Sequence, residues 1–572
     1  MDKKELTMET RLLLAFVLVG IVLVGWNYIY KPPPPPVTPV STAPAQTTQP
    51  AAETAKDAPA PAPIPSQNQA EVADIPGQVQ AAQVEEFDIE TDLYKVRFSN
   101  QGAVVQHWIL KKYKDGKGKP LDLVNTRALA KVTAPFAVAF RNQAPHGDPN
   151  KGLFQVERAA DQLGVTFEYS DGRTSAKKTF QFMPNSYLVQ ITSQVADSGV
   201  LVPHELTWRG GFGDQTLPAA ATVEDSLYYD ETNSKLVKNE LKIADKGPVT
   251  TSGQYTFAGI EDKYFAAAVL PAAGGGLGLT TYSDPVPGVS GADEKRIGVG
   301  AGGSGLNSFK VFIGPKDADT LRSVDPRLDT LIDWGRWFGF IAKPLFLGLT
   351  WTAKHLAANN FGWAIVLVTF AINMVLFPLR FSSMRSAKKM QALQPQIKAL
   401  NDKYKDLPLR DPRKQEQQAE MMELYKKHGV NPVGGCVPML LQLPFLIAFY
   451  TVLGVAIEMR GANWLWISDL SQPEAGFFAA LGPPIRLLPL LLIVTQFLQQ
   501  KMTPSPGMDP AQQKMMLFMP LVLGFMFYGQ SSGLVLYWLT GGLVGIAQQW
   551  LLSRGGTPQA VAVSIPPVKK KK

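Results

Sequence analysis

Residues 437–457 read VPMLLQLPFLIAFYTVLGVAI, a run of 21 residues that contains no acidic or basic side chain. About 20 mostly apolar residues in a helix are enough to cross the hydrocarbon core of a bilayer. A second run of this kind, Phe361–Leu379, lies earlier in the chain. The two runs predict that the C-terminal part of the chain crosses a membrane.

Four further apolar runs lie outside these two. Three of them follow residue 457: Ile485–Gln500, Met515–Tyr528 and Leu534–Leu552. The fourth, Leu12–Tyr30, lies near the N-terminus and ends in aromatic residues, which suits an uncleaved membrane anchor. A cleaved signal peptide is the alternative for this segment. With the anchor, the sequence predicts six transmembrane helices.

The positive charges indicate the orientation of these helices. The formal net charge is +8, and residues 380–430 carry 12 Lys and Arg against 6 Asp and Glu. Lys and Arg are enriched in the cytoplasmic loops of membrane proteins. The sequence therefore predicts a multi-pass protein of a bacterial inner membrane, with a cytoplasmic N-terminus and C-terminus. The polar region between the first two spans then lies in the periplasm.

That polar region begins with a spacer and continues as a β-domain. Residues 31–84 are rich in Pro and Ala and predict a flexible linker. Residues 85–330 alternate apolar and polar side chains between turn signals, which predicts an all-β sandwich. The clearest alternating segments are Tyr94–Phe98, Thr179–Phe182, Tyr187–Ile191 and Phe309–Ile313. The glycine-rich pieces Gly274–Gly278 and Gly300–Gly305 are expected to be loops.

The complete predicted architecture is a polytopic α-helical membrane protein with a periplasmic β-sandwich and a cytoplasmic helical hairpin. Trp334–Ala357 contains Pro344 and predicts an amphipathic helix at the membrane surface. The predicted divisions are 1–30 for the anchor, 31–84 for the linker, 85–330 for the β-domain, 331–358 for the interfacial helix, 359–555 for the five-span core with its hairpin at 381–433, and 556–572 for a basic tail.

The hairpin is expected to consist of Gln391–Lys405 and Lys414–Lys427, separated by a proline-marked turn. One interpretation is a basic platform for a ribosome or a nascent chain; the other is a solvated tether between two spans. The tail Lys569–Lys572 is a possible second contact with ribosomal RNA, or a contact with anionic lipid.

Several spans carry isolated polar side chains. Thr369 and Asn373 lie four residues apart on one helical face, and Gln442, Tyr537 and Trp538 lie in other spans. Polar groups are costly in hydrocarbon and need partners. They indicate either hydrogen bonds that pack a helix bundle or a hydrated pocket inside it, and the residues alone favour neither.

Other classes of protein find little support. The five histidines show no paired metal spacing, no glycine-rich piece continues as a phosphate-binding loop, and Cys436 is the only cysteine. We therefore expect no catalytic site, metal, cofactor or small-molecule substrate, and no enzyme. A transporter or channel is the first alternative, but it would place ionisable residues deep in several spans. A periplasmic binding protein with a membrane tether is the second, and five extra spans are excessive for a tether.

One family fits all of these features. Residues 431–450, NPVGGCVPMLLQLPFLIAFY, closely resemble the signature of the YidC membrane protein insertase family. Further matching segments are FPLR (377–380), KMQALQPQIKAL (389–400), QQKMMLFMP (512–520) and SGLVLYW (532–538). The anchor, linker and β-domain are similar to the Gram-negative form. The resemblance implies five core helices around a hydrophilic groove, nascent membrane proteins as clients, and action both alone and with the Sec translocon.

The resemblance also implies roles for single residues. Thr369, Gln442, Tyr537 and Trp538 match positions that line the groove. The prolines and the cysteine of the third span match the family signature: Cys436, Pro438 and Pro444.

At one position the sequence departs from the family, which commonly has an arginine where this chain has Asn373. We hypothesise that Arg380, seven residues later, supplies the positive charge from the mouth of the groove, with Asn373 inside. The alternative is that Arg380 only anchors the topology.

Overall fold

The structure is a computed structural model that describes residues 77–141, 143–216, 223–271, 276–335, 338–404, 413–429, 437–476, 485–502 and 510–553. The chain forms two compact units. One contains Ala70–Gly507 and Leu517–Lys572, and the other contains Met1–Gln69 and Met508–Met516, of which only residues 510–516 are described. The predicted anchor, most of the predicted linker, Cys436 and the basic tail lie outside the described residues.

The β-domain is built from antiparallel strands, as the alternating segments predicted. Within the described residues they are β1 Glu86–Glu90, β2 Tyr94–Ser99, β3 Val104–Lys114, β4 Pro120–Asp122, β5 Ala137–Ala139, β6 Gln155–Arg158, β7 Gly164–Ser170, β8 Thr174–Phe182, β9 Leu188–Asp197, β10 Val200–Leu201, β11 His204–Trp208, β12 Asp225–Asp230, β13 Lys235–Glu240, β14 Val249–Gly253, β15 Tyr255–Glu261, β16 Phe265–Pro271, β17 Leu277–Pro287, β18 Asp293–Ser304 and β19 Leu306–Pro315.

These strands form three sheets. The largest has the order β13-β12-β15-β16-β19-β9-β8-β7-β6, with β10 paired to β9. A five-stranded sheet has the order β14-β17-β18-β11-β5, and a four-stranded sheet has the order β1-β2-β3-β4. A cavity of about 30 Å³ lies between the first two sheets and is lined by apolar residues of both, such as Trp208 and Phe309. The two sheets therefore pack face to face around an apolar interior, and the prediction of an all-β domain is confirmed.

One basic side chain lies in this interior. Alternate residues of β8 are buried, and Lys178 occupies one of the buried positions. Its amine donates hydrogen bonds to the backbone carbonyls of Gly102 at 2.7 Å, Phe136 at 2.8 Å and Ala103 at 3.2 Å. Since a buried ammonium needs partners, these carbonyls explain how the domain accommodates it. Lys178 joins two loops to the core.

The prediction that Gly300–Gly305 forms a loop is wrong for most of that segment, because β18 continues to Ser304. Two glycines of β18 lie close against carboxylate side chains of neighbouring strands. A Cβ on Gly298 would lie 2.6 Å from Asp284 Oδ2, and one on Gly300 would lie 2.7 Å from Glu205 Oε2. The prediction for Gly274–Gly278 is also wrong at its end, since Leu277 and Gly278 begin β17.

The part of the chain after β19 is helical. The described helices are α1 Ala318–Val324, α2 Gly339–His355, α3 Phe361–Val375, α4 Phe377–Ala392, α5 Gln394–Lys403, α6 Arg413–Lys427, α7 Val437–Val455, α8 Leu487–Met502, α9 Pro510–Phe527 and α10 Ser532–Ser553. Helix α10 packs against α8 and α3, and α2 packs against α7 and α3. The predicted combination of an all-β domain with a helical C-terminal region is thus confirmed.

The described helices differ in whether they are long enough to cross a membrane. Judged by length and composition, residues 532–552 of α10 form one described helix that suits a membrane span. Helix α3 and the start of α4 form a second candidate span if the bent pair is counted as one span. Helix α8 and the apolar parts of α7 and α9 are shorter than the length used for a span. The count of six transmembrane helices stays a prediction.

Helix α2 corresponds to the predicted interfacial helix. Ala342 and Leu349 are buried against the neighbouring helices, whereas Phe340, Leu347 and Trp351 are at least half exposed. A helix that exposes large apolar side chains suits contact with lipid. Its location at a membrane surface stays a prediction.

The predicted hairpin is present as α5 and α6. Glu420 of α6 accepts hydrogen bonds from Lys403 at 2.8 Å and from the Tyr404 hydroxyl at 2.9 Å. An apolar seam of Met390, Leu393 and Ile397 packs against residues of α6. These contacts hold the two helices against each other.

Candidate functional site

Polar side chains from five helices meet inside the helical region. We call this group the polar cluster. It consists of Thr369 and Asn373 on α3, Arg380 on α4, Gln442 on α7, Gln499 on α8, and Tyr537 and Gln548 on α10.

A bend brings Arg380 into the cluster. The axes of α3 and α4 differ by 55°, and the break falls at Leu376. Pro378 lies two residues later; proline has no N–H, and its ring disfavours a helical conformation for the preceding residue, Phe377. The single straight helix assumed for Phe361–Leu379 is therefore wrong, and with it the argument that Asn373 and Arg380 share one continuous helical face.

The guanidinium of Arg380 connects α4 to α7 and α10, and through α10 to α3. Its Nη2 donates to Gln442 Oε1 at 2.7 Å, and its Nη1 donates to Gln548 Oε1 at 3.4 Å. Gln548 in turn donates from Nε2 to the backbone carbonyl of Asn373 at 3.2 Å. Both side-chain partners of Arg380 in the described part of the chain are amides, which carry no charge. The positive charge of the cluster is thus solvated but not neutralised by them.

Two oxygen atoms of α3 in the cluster are buried and have no partner in the described part of the chain. The Asn373 amide nitrogen donates to the Thr369 carbonyl at 2.7 Å. Asn373 Oδ1 and Thr369 Oγ1 make no hydrogen bond within the described residues, although both side chains are buried. Buried polar atoms are normally paired with protein or water. These two atoms can therefore receive a water molecule or a polar group of another chain.

Tyr537 and Trp538 are neighbours in sequence but lie in different surroundings. The Tyr537 ring stacks on Phe449 of α7 with a centroid distance of 4.0 Å, and its hydroxyl hydrogen-bonds with the Gln442 side chain. The Trp538 ring instead packs against Phe527 of α9 at 4.8 Å. Of the two residues expected to line a groove, only Tyr537 joins the polar cluster.

Glycines on α10 make room for the amide side chains. A Cβ on Gly545 would lie 2.7 Å from Gln499 Nε2 and 3.5 Å from Arg380 Nη1. A Cβ on Gly541 would lie 3.8 Å from Gln442 Nε2 and 3.9 Å from Asn373 Nδ2. Larger residues at these positions would occupy the space in which the amides and the guanidinium meet.

Two members of the cluster were not predicted from the sequence, namely Gln499 and Gln548. Both are amides within apolar runs, as Gln442 is, and this signal was available in the sequence. The three residues of the family signature have no established place in the cluster. Pro444 lies inside α7, Pro438 lies in its first turn, and Cys436 precedes the described part of α7.

The described residues offer no obvious site for a metal ion. No group of three or more His, Cys, Asp or Glu side chains within them is arranged to hold one.

Two family models together match most of the chain. One, described as 60Kd inner membrane protein, matches residues 351–559. The other, described as YidC periplasmic domain, matches residues 86–347 and so contains the β-sheets. The β-domain and the helical region thus correspond to two known parts of one family.

Relatives extend this similarity along the whole chain. Membrane protein insertase YidC from Pelobacter propionicus is 33% identical over 574 residues, which cover 96% of this chain and 99% of that protein. Membrane protein insertase YidC from Bordetella avium is 34% identical over 504 residues, which cover 84% of each chain. A crystal structure of an active YidC insertase with its first transmembrane domain resolved matches 83% of this chain and 95% of its own, at 19% identity and a TM-score of 0.34. The resemblance found in the sequence is confirmed: this chain belongs to the YidC membrane protein insertase family.

Proposed function

We propose that this chain inserts proteins into the inner membrane by letting a hydrophilic segment of the client occupy the polar cluster while the client's apolar helix enters lipid. The observation that carries the proposal is the guanidinium of Arg380, which lies among neutral amides, in a cluster where two oxygen atoms have no partner among the described residues. An interior of this kind suits transient contact with a polar segment better than it suits permanent packing between helices.

The outer surface of the same helices supports the proposal. Phe525 is 85% exposed, Val375 is 78% exposed and Val522 is 62% exposed. Exposed apolar side chains of this size indicate contact with lipid. The bundle then has an apolar outer surface and a polar cluster in its interior, as an insertase that works within a bilayer requires.

The energetic problem is the passage of polar groups through hydrocarbon. A charged side chain at the bilayer centre costs about 2.5–3.5 kcal/mol on insertion scales. The cluster lowers this cost by offering hydrogen bonds and an opposite charge part of the way across. Helix α8 has 16 residues, or about 24 Å at 1.5 Å per residue, against a hydrocarbon core of about 30 Å. Short helices thin the bilayer locally and so shorten the remaining path.

No step of this mechanism consumes a nucleotide or breaks a covalent bond. Burial of the client's apolar helix in lipid provides the free energy. We therefore propose a chaperone-like insertase rather than an enzyme, with no cofactor and no small-molecule substrate.

Arg380 has a specific role in this proposal. Because the bend turns it into the bundle, its charge lies at the position in space where it can meet an acidic residue of a client's translocated tail. Asn373 contributes neutral hydrogen bonding beside it, and Gln442 and Gln548 orient the guanidinium. Arg380 thus supplies the charge that the family commonly has at the position of Asn373.

The arrangement in the cell follows from the sequence and stays part of the proposal. We place six spans in the inner membrane, both termini in the cytoplasm and the β-domain in the periplasm, with the divisions of the chain given above. Nascent membrane proteins are the clients. The Sec translocon is a partner, and the ribosome is a further partner through the hairpin at 381–433 and the tail Lys569–Lys572.

Site-specific crosslinking tests the central claim. A photo-reactive residue at Gln442 or Tyr537 should crosslink to the hydrophilic tail of a ribosome-stalled, single-span nascent chain. The same probe at Leu543, which lies on α10 and is 52% exposed, serves as the matched control and should meet lipid or the apolar part of the client. Crosslinks from both cluster positions to lipid and neighbouring helices alone would reject the proposal.

A further inference from the structure

The loop that follows α7 contacts the β-domain through an arginine. Arg460 Nη2 donates to the backbone carbonyl of Lys114 at 3.0 Å and forms an ion pair with Asp214. The side chains of this pair are 10% and 2% exposed, respectively. The guanidinium also lies 5.4 Å from the ring centroid of Tyr264 and 5.6 Å from that of Phe265. The β-domain therefore provides a built pocket for a side chain of the helical region.

A second contact lies two residues earlier in the same loop. Glu458 faces Asp317 and Asp319, at the start of α1, and Tyr113 of β3. Burial, with the nearby carboxyl groups as a lesser cause, raises the pKa of Glu458 to about 8 from its ordinary value of 4.5. In its protonated form the Glu458 carboxyl donates a hydrogen bond to Asp317, so the two acids attract rather than repel each other at neutral pH.

The same loop closes one end of the helical region. The backbone N–H of Ser532, the first residue of α10, donates to the Gln472 carbonyl at 2.8 Å, and Gly533 N–H donates to the Leu470 carbonyl at 2.9 Å. Glu474 accepts hydrogen bonds from the Trp466 indole at 2.9 Å and from the backbone N–H of Leu488 at 2.8 Å. The loop thus caps α8 and α10, both of which contribute to the polar cluster.

Helix α3 meets the loop as well. Trp464 packs on Gly362 so closely that a Cβ there would lie 2.2 Å from the indole ring, and it contacts Trp363 at a centroid distance of 5.5 Å. One loop therefore joins the β-domain to the ends of three helices that carry the cluster.

We propose that Arg460 is a positioning residue: by holding the loop 457–474 against the β-domain, it keeps the outer end of the polar cluster closed. The β-domain then acts on insertion through the geometry of the loop, without contacting the client. The link to insertion rests on the proposed function, whereas the closure itself can be measured separately.

The closure is measured by the reactivity of a cysteine in the loop. Ser471 is 5% exposed and its hydroxyl has no partner among the described residues, so Ser471→Cys in a Cys436→Ser background is a conservative probe. Reaction of the full-length chain in nanodiscs with a hydrophilic maleimide should be slow. Arg460→Gln should raise the rate about tenfold or more, because the buried carboxylate of Asp214 loses its counter-charge in the docked state. Asp214→Asn should raise it as well, and Arg460→Lys should raise it less than Arg460→Gln.

Controls separate docking from general damage. Arg158→Gln removes an ion pair of a side chain that is 51% exposed, elsewhere in the β-domain, and should leave the rate unchanged. Thermal unfolding of each variant identifies any that fail to fold. If Arg460→Gln fails to fold, the rates of Asp214→Asn and Arg460→Lys provide the comparison with the unsubstituted chain. Unchanged reactivity in Arg460→Gln and Asp214→Asn would overturn the inference.

Insertion assays distinguish this inference from the proposed function. Loss of closure should slow insertion of clients with acidic and with neutral tails to the same extent. If the crosslinks from the polar cluster fail but Arg460→Gln still exposes the cysteine, the proposed function falls and the docking role of Arg460 stands.

Discussion

Replacement of Arg380 by glutamine removes the one charge from the polar cluster and keeps a side chain that can hydrogen-bond. Opposite unit charges 4 Å apart attract by about 4 kcal/mol at the effective dielectric constant of 20 that suits partly buried sites. Since each 1.4 kcal/mol is a factor of ten, the insertion rate of a client with an acidic tail should fall by up to about a thousandfold. A client whose tail carries amides in place of the acids lacks this attraction and should be affected little.

The assay compares these two clients in proteoliposomes that contain the full-length chain. Arg385→Gln is the matched control, because Arg385 lies on the same helix and is exposed. A second variant, Arg380→Gln combined with Asn373→Arg, should restore much of the rate for the acidic tail, since Asn373 belongs to the same cluster. Equal loss with both clients, or no loss with either, would show that Arg380 is a packing or topology residue and would refute the reasoning.

Other substitutions probe the structure around the cluster and within the β-domain. Lys178→Met should lower the unfolding free energy of the β-domain by about 3 kcal/mol, as thermal or urea denaturation would show, because three buried carbonyls lose their donor. Gly362→Ala should destabilise the helical region by about 1–3 kcal/mol in the same measurement, since the new methyl group collides with Trp464. The pKa of Glu458 is about 8 when the residue is buried and ordinarily 4.5. Between these pH values the folded protein, with its loop docked on the β-domain, binds more protons than the unfolded protein. The stability of the folded protein should therefore fall as pH rises through that range. Glu458→Gln should remove this dependence from the melting temperature, and parallel pH profiles of the two proteins would contradict it.

Local patterns predicted the elements of the fold well. Tyr94–Phe98 alternates apolar and polar side chains and forms most of β2, because a strand with one buried face needs this period. The second hairpin helix was equally readable, since Lys414–Lys427 was predicted and Arg413–Lys427 is helical. The glycine-rich strand β18 could not be predicted in this way. Its glycines lie against side chains such as Glu205 on a neighbouring strand, about a hundred residues away in sequence.

The candidate site was predicted only in part, for a related reason. Asn373, Gln442 and Tyr537 were expected to lie together, and the structure brings them together. The position of Arg380 depends on a bend, which a count of residues per turn cannot include. Gln548 is 168 residues from Arg380, and no periodicity connects residues so far apart. A search for buried amides as well as charges would have included it.

Amides make up most of the polar cluster, and amides neither gain nor lose a proton at any pH that a cell meets. Arginine keeps its charge over the same range. Under the proposed function, the amides and the guanidinium would therefore offer a client the same solvent-like surroundings whether the medium outside is acidic or alkaline. Any sensitivity of insertion to external acidity would then come from other groups, such as the acidic residues of a client or carboxyl groups like that of Glu458.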